Sequence, residues 1–119
     1  MGVTTSSTDF LVTIAEPTRL RILNCLAAAP LFVSDLQEVL DLPQSTVSRH
    51  LAVLKSAELV RDTPVAPYVL YRLQRDAGGQ GRLLKAILET LFTETDFRRE
   101  RTRALDQARA RTRLTTPAE

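Results

Sequence analysis

The sequence contains one cysteine, one histidine and no tryptophan, and these scarcities exclude several classes of protein. A lone thiol, Cys25, forms no disulfide within the chain, which argues against a secreted disulfide scaffold. His50 has no evident nucleophile partner, and the chain has neither a glycine-rich phosphate loop nor a cysteine–histidine cluster. We therefore expect a protein that is not an enzyme and that holds no cofactor.

Long apolar runs are also missing. No stretch approaches the roughly 20 residues that a membrane-spanning helix needs, and the N-terminus lacks the basic-then-apolar order of a signal peptide. The sequence thus predicts a cytoplasmic protein without a membrane partner.

The residues that are present suit one small basic domain. The 119 residues are 44% hydrophobic but only 5% aromatic, so aliphatic side chains must form a modest core that would gain from dimerisation. Fourteen of the 16 basic residues are arginine, and the pI near 9.1 is compatible with a polyanionic partner. We place the domain at residues 8–113, between disordered ends at 1–7 and 114–119.

The most informative stretch is residues 42–54, LPQSTVSRHLAVL, which predicts an amphipathic helix. Val47, Leu51 and Leu54 fall at i, i+4 and i+7 and form its apolar stripe. The opposite face carries hydrogen-bond donors and no carboxylate before Glu58. Such a face near a helix N-terminus suits phosphates and base edges in a DNA major groove, although ordinary solvation also explains it. Its six donors are Gln44, Ser45, Thr46, Ser48, Arg49 and Lys55.

The neighbouring segments favour DNA recognition. Residues 33–40 predict a short helix that ends at a turn over 41–43, so the two helices form a helix-turn-helix. Residues 59–63 and 67–73 alternate as strands around two prolines. They predict a short hairpin, or wing, directly after the recognition helix.

Both ends of the domain predict apolar helices. A short helix capped by Thr8 or Asp9, and a longer helix from Gly81, each present an apolar stripe that a second subunit would cover. The stripes predict a dimer interface made of Phe10, Leu11, Ile14, Leu84, Ile87, Leu88, Leu91 and Phe92. Residues 98–113 hold seven arginines, and we interpret them as a frayed, solvated helix, with a second DNA-contacting arm as the alternative.

Several motifs resemble the arsenic- and metal-responsive repressors of the ArsR/SmtB type. They are AEPTRLRIL at 15–23, STVSRHL at 45–51, VL at 53–54, LVR at 59–61 and YRL at 71–73. The resemblance implies a mainly α winged helix-turn-helix with about five helices and a two-stranded wing. It also implies a homodimer, joined through its terminal helices, that binds operator DNA and usually represses transcription.

The resemblance also assigns roles to individual residues. The family's groove-facing positions fall on Gln44, Ser45, Thr46, Ser48 and Arg49. On or near the wing lie Arg61, Thr63 and Arg72. Helix capping is the alternative for Ser45, simple solvation for Ser48, and a surface ion pair for Arg49 and Arg72.

The metal sites of the family are incomplete in this sequence. Phe32 and Ser34 stand where soft-metal members have Cys-x-Cys, and neither side chain is a good soft-metal ligand. Glu94, Asp96 and Glu100 have no histidine beyond residue 50 with which to complete a zinc-like site. We expect no metal site, and no inducer follows from the sequence.

His50 and Cys25 are the remaining candidate site residues, and two rival functions stay open. His50 lies among apolar neighbours, so packing is favoured over metal binding. Cys25 lies between Leu23 and Leu26, which favours a buried, inert thiol over a redox sensor. The rivals are a winged-helix protein-interaction module without specific DNA binding, and a redox-responsive regulator that uses Cys25.

Overall fold

A computed structural model describes residues 6–75 and 78–115. Its helices are α1 (Ser7–Ala15), α2 (Pro17–Leu26), α3 (Val33–Leu40), α4 (Gln44–Ser56), α5 (Gly78–Leu91) and α6 (Thr95–Thr115). Its strands are β1 (Leu31–Phe32), β2 (Val60–Val65) and β3 (Tyr68–Leu73). This mainly helical fold with a small antiparallel sheet confirms the predicted fold class. Within the described residues, no helix is both long and apolar enough to cross a membrane.

The predicted boundaries need adjustment at both ends. Ser7 and Thr115 belong to helices, although each lies in a segment predicted to be disordered. Of those segments, residues 1–5 and 116–119 lie outside the described residues. The predicted cap at Thr8 or Asp9 is wrong, because Ser6 Oγ accepts a hydrogen bond from the Asp9 N–H at 3.1 Å and the helix starts earlier.

The helix-turn-helix forms as predicted. Helix α3 covers residues 33–40, and Asp35 Oδ2 accepts a hydrogen bond from the Phe32 N–H at 2.9 Å at its start. Asp41 then adopts a left-handed conformation with φ 55°, which ends the helix. Pro43 directly precedes α4, whose predicted apolar stripe (Val47, Leu51 and Leu54) is fully buried.

The predicted hairpin is confirmed, and a third strand joins it. Strands β2 and β3 pair from Val60 opposite Leu73 to Val65 opposite Tyr68. Strand β1, which the sequence does not predict, pairs with the other edge of β3 and gives the order β1-β3-β2. Two residues are too few to show an alternating pattern, so only the partner strand defines β1.

The arginine-rich C-terminal segment is an ordered helix, and the prediction of a frayed, solvated tail is wrong. Helix α6 packs against α2 and α3, with Ala104 and Ala108 buried. Glu100 accepts hydrogen bonds from Arg21 on α2, the shortest at 2.7 Å. The sequence did not predict this packing, because alanines and arginines do not form a recognisable apolar stripe.

The predicted interface stripes are partly covered by the chain itself. Phe10, Ile14, Leu84 and Leu88 are buried within the protomer, so these four do not need the second subunit that was expected to cover the stripes. Leu11 is 45% exposed and Phe92 42% exposed. Half-buried between these extremes are Ile87 and Leu91.

Candidate nucleic-acid interface

The exposed face of α4 begins with uncapped backbone. Pro43 occupies the N-cap position, and no side chain in the described part of the chain accepts a capping hydrogen bond there. Ser45 therefore does not have the capping role considered for it. Gln44, Ser45 and Arg49 are exposed, while Thr46 and Ser48 are half-buried. Backbone N–H groups at a helix start attract anions through both hydrogen bonding and the helix dipole. The start of α4 is therefore suited to a phosphate.

Two of the predicted DNA-contacting side chains bind each other. Gln44 Nε2 donates a hydrogen bond to Ser48 Oγ at 2.9 Å, one helical turn away. The contact orients both side chains on the exposed face, and it leaves the carbonyl oxygen and second N–H of the Gln44 amide for a base edge.

Arg49 is the clearest cation of this face. Its side chain is exposed, and within residues 6–75 and 78–115 it has neither a hydrogen bond nor an ion pair. The surface ion pair considered for Arg49 thus has no partner in the described part of the chain. Its guanidinium can donate two parallel hydrogen bonds to guanine or to a phosphate.

Lys55, by contrast, is occupied. Its Nζ lies 2.9 Å from Asp62 Oδ2 on β2, so an ion pair connects α4 with the hairpin. The hydrogen bond between them raises the pKa of Lys55 and lowers the pKa of Asp62. Asp62 could not be identified from the sequence as the partner of Lys55, because the pair depends on how β2 packs against α4.

Asp62→Asn should strengthen DNA binding. The change removes a negative charge beside the proposed interface and releases Lys55, so we expect roughly threefold to tenfold tighter binding at low salt. Fluorescence anisotropy with duplex DNA measures the change. Glu94→Gln, at an exposed carboxylate between α5 and α6, is the control with the same change in net charge. Equal effects of the two variants would show that net charge alone, and not the Lys55 pair, is responsible.

The basic residues of the wing lie at its base. Arg61 and Arg72 are directly opposite in the β2–β3 ladder, and together with Arg75 they line a cavity of about 340 Å³. Arg72 Nε is buried and has no hydrogen-bond partner among the described residues. Arg75 was missed at the sequence level, although it lies two residues beyond the YRL motif. Thr63 is exposed further along β2.

The tip of the wing has a different character. Residues 64–69, PVAPYV, carry no charge, and Tyr68 is 63% exposed. The Tyr68 ring contacts Phe32 edge to face, with 5.8 Å between ring centroids. Phosphate contacts by this wing are therefore expected at its base, from Arg61 and Arg72.

The environment of Cys25 disfavours redox sensing. The side chain is fully buried, and burial raises the pKa of its thiol to about 12. Reactivity requires the thiolate, which is scarce at neutral pH when the pKa is this high.

Native Cys25 should resist alkylation. We expect iodoacetamide at pH 8 to modify the folded protein at least about 100-fold more slowly than the same protein in urea, since folding removes both thiolate and access. Mass spectrometry over a time course measures both rates. Similar rates in the two conditions would support a redox-sensing role for Cys25.

The potential metal ligands are engaged elsewhere or isolated. His50 is buried, with its Nδ1 3.8 Å from Glu16 Oε2. Glu100 is paired with Arg21. Across the described part of the chain, no three histidine, cysteine or acidic residues are grouped as a metal site requires.

Comparisons with known proteins place these features in context. Residues 16–62 match the family model described as "Bacterial regulatory protein, arsR family". The biofilm growth-associated repressor of Agrobacterium fabrum is 36% identical over 77 residues, which cover 65% of this chain and 64% of that protein. The transcriptional repressor SdpR of Bacillus subtilis is 32% identical over 60 residues, covering 50% of this chain and 67% of SdpR. The SmtB homolog of Synechocystis is aligned over 49% of its length, so the chain spans about half to two thirds of these relatives.

Solved structures extend the likeness to the fold. Reduced HlyU from Vibrio cholerae superposes with a TM-score of 0.61 and 34% identity, covering 71% of this chain and 83% of HlyU. The transcriptional repressor BigR from Xylella fastidiosa also gives 0.61, with 25% identity and coverage of 74% and 81%.

Proposed function

Because the chain belongs to the ArsR family of bacterial regulatory proteins, we propose that it is a cytoplasmic transcriptional repressor whose homodimer binds operator DNA. The observation that carries the proposal is the uncapped, carboxylate-free start of α4 with the exposed Arg49 beside it. A helix presented in this way enters the major groove, where its first residues reach base edges.

The proposed contacts divide into two groups. Gln44, Ser45, Thr46, Ser48 and Arg49 read bases or bind the adjoining phosphates from the groove. From the wing and the end of α4, phosphates are contacted by Lys55, Arg61, Thr63 and Arg72. Phosphate contacts add affinity without sequence information, so the first group accounts for specificity.

The proposed dimer uses the apolar side chains that the protomer leaves uncovered. Leu11 and Val12 are exposed on α1, and Leu83 on α5 and Phe92 at its end are exposed as well. Pairing of these residues in two subunits would bury them and hold two α4 helices for successive half-sites of a palindromic operator. No metal is required by this proposal.

Selection of bound duplexes from a random DNA pool tests the function. We expect enrichment of a palindromic sequence, an affinity that falls steeply with salt, and two protomers per duplex by light scattering. A folded protein that enriches no sequence would favour the protein-interaction module instead. A monomer bound to a single half-site would contradict the dimer alone.

A further inference from the structure

A second cavity lies away from the start of α4, between the end of β3 and α5. Its volume is about 300 Å³. This volume is at the lower end of the range for small-molecule sites. Four apolar side chains form its floor: Ala27, Leu73, Leu84 and Leu88. Three of them belong to the buried core, so the floor is firmly held.

The rim of the cavity is strongly basic. Arg75 follows β3, Arg82 and Lys85 are exposed on α5, and Arg101 reaches across from α6. Among the described residues that line the cavity, Glu89 is the one carboxylate, and the four cations exceed it by three. An apolar floor beneath an excess of cations is complementary to an anion with an apolar body.

One of these cations is held in place before any ligand binds. Arg101 Nε and Nη2 donate hydrogen bonds to Asn24 Oδ1 at 3.0 and 2.7 Å, and Nη2 also donates to the Leu88 carbonyl at 2.8 Å. The guanidinium also lies over the Phe92 ring, 4.8 Å from its centroid. These bonds use Nε and Nη2, and Nη1 has no partner among the described residues. A guanidinium fixed in this way loses little freedom when an anion arrives.

We propose that this cavity binds a small carboxylic acid with an apolar body, and that the acid is an effector of the protein. The aliphatic part would lie on the leucine floor, and the carboxylate would face the cations of the rim. The cavity touches Leu73 at the end of the wing and Leu84 on α5, so a bound ligand contacts both the proposed DNA-binding and dimerisation elements. The effector role rests on the proposed function, whereas the binding site does not.

Octanoate is the probe for the binding site, and octanol of equal chain length is its uncharged control. We expect octanoate to shift the methyl resonances of Leu73, Leu84 and Leu88, and to bind at least tenfold more tightly than octanol. The double variant Arg82→Glu/Lys85→Glu should weaken octanoate binding at least tenfold. Arg98→Glu/Arg99→Glu makes the same charge change at exposed positions of α6 outside the cavity and should leave binding unchanged. If the first double variant does not fold, Lys85→Ala should still weaken binding at least threefold.

Three outcomes decide the proposal. Equal binding of octanoate and octanol, or equal loss in both double variants, would overturn the site. If octanoate binds but changes operator affinity by less than twofold at saturation, the effector role fails while the site stands. If the free protein selects no operator, the proposed function and the effector role fail. The methyl shifts then still show whether octanoate binds in the cavity.

Discussion

Arg49→Ala should lower operator affinity by about 1–3 kcal/mol, or roughly 5- to 150-fold. Arg49 is exposed on α4 and has no ion-pair partner among the described residues, so its removal costs little folding energy. Its full effect should therefore appear in DNA binding. Loss of discrimination at one base pair would identify a base contact, whereas a uniform loss with a shallower salt dependence would identify a phosphate contact.

The matched control for this experiment is Arg109→Ala. Arg109 is an exposed arginine on α6, a helix that packs against α2 and α3. We expect its replacement to change operator affinity by less than about twofold, the effect of one distant surface charge. Binding by Arg49→Ala that equals the control would remove Arg49 from the site and weaken the case for α4 as the reading helix.

Asp35→Ala should lower the free energy of unfolding by about 2–4 kcal/mol, which is the largest effect on stability that we expect from replacing one side chain. Asp35 is 2% exposed and accepts hydrogen bonds from the Phe32 N–H and from Arg111 Nε, each at 2.9 Å. Gln107 Nε2 also donates to it at 3.3 Å. Removing the carboxylate would remove the hydrogen bond at the start of α3 and the contacts with Gln107 and Arg111 on α6.

Urea unfolding followed by circular dichroism measures the loss. Glu38→Ala changes an exposed carboxylate of the same helix and should alter stability by less than about 0.5 kcal/mol. Asp35→Asn keeps the shape of the side chain and should fall between the two. A stability for Asp35→Ala within the range of the control would mean that α6 is held by its alanine packing alone.

The contact at Asp35 is one example of why the arginine content overestimates the number of unpaired cations on the protein surface. Arg21, Arg101 and Arg111 each bind an acceptor on another helix. These contacts fasten α6 to α2 and α3. The charges of Arg21 and Arg111 are paired with carboxylates, whereas Arg101 is bonded to neutral acceptors and keeps its charge for the cavity beside α5. The pI is compatible with a polyanionic partner, but it does not separate arginines that hold the fold together from arginines that face outward.

The helix-turn-helix and the wing could be predicted because the residues that determine these elements lie within the elements themselves. The stripe of Val47, Leu51 and Leu54 has the helical period. In the hairpin, the prolines restrict the backbone locally, and the alternation of apolar and polar residues is typical of a strand. The family motifs lie in this same part of the chain, so the groove-facing residues could be assigned before any contact was known. Their contacts with DNA stay predictions.

Contacts between segments distant in the chain were decided only by the tertiary structure. Arg21 is paired with Glu100, Arg111 with Asp35, and Leu84 and Leu88 are covered by their own protomer. The physical reason is that periodicity reports which face of an element is buried, but not what covers it. A partner for a charge or an apolar stripe depends on packing geometry, and this geometry exists only after the chain has folded.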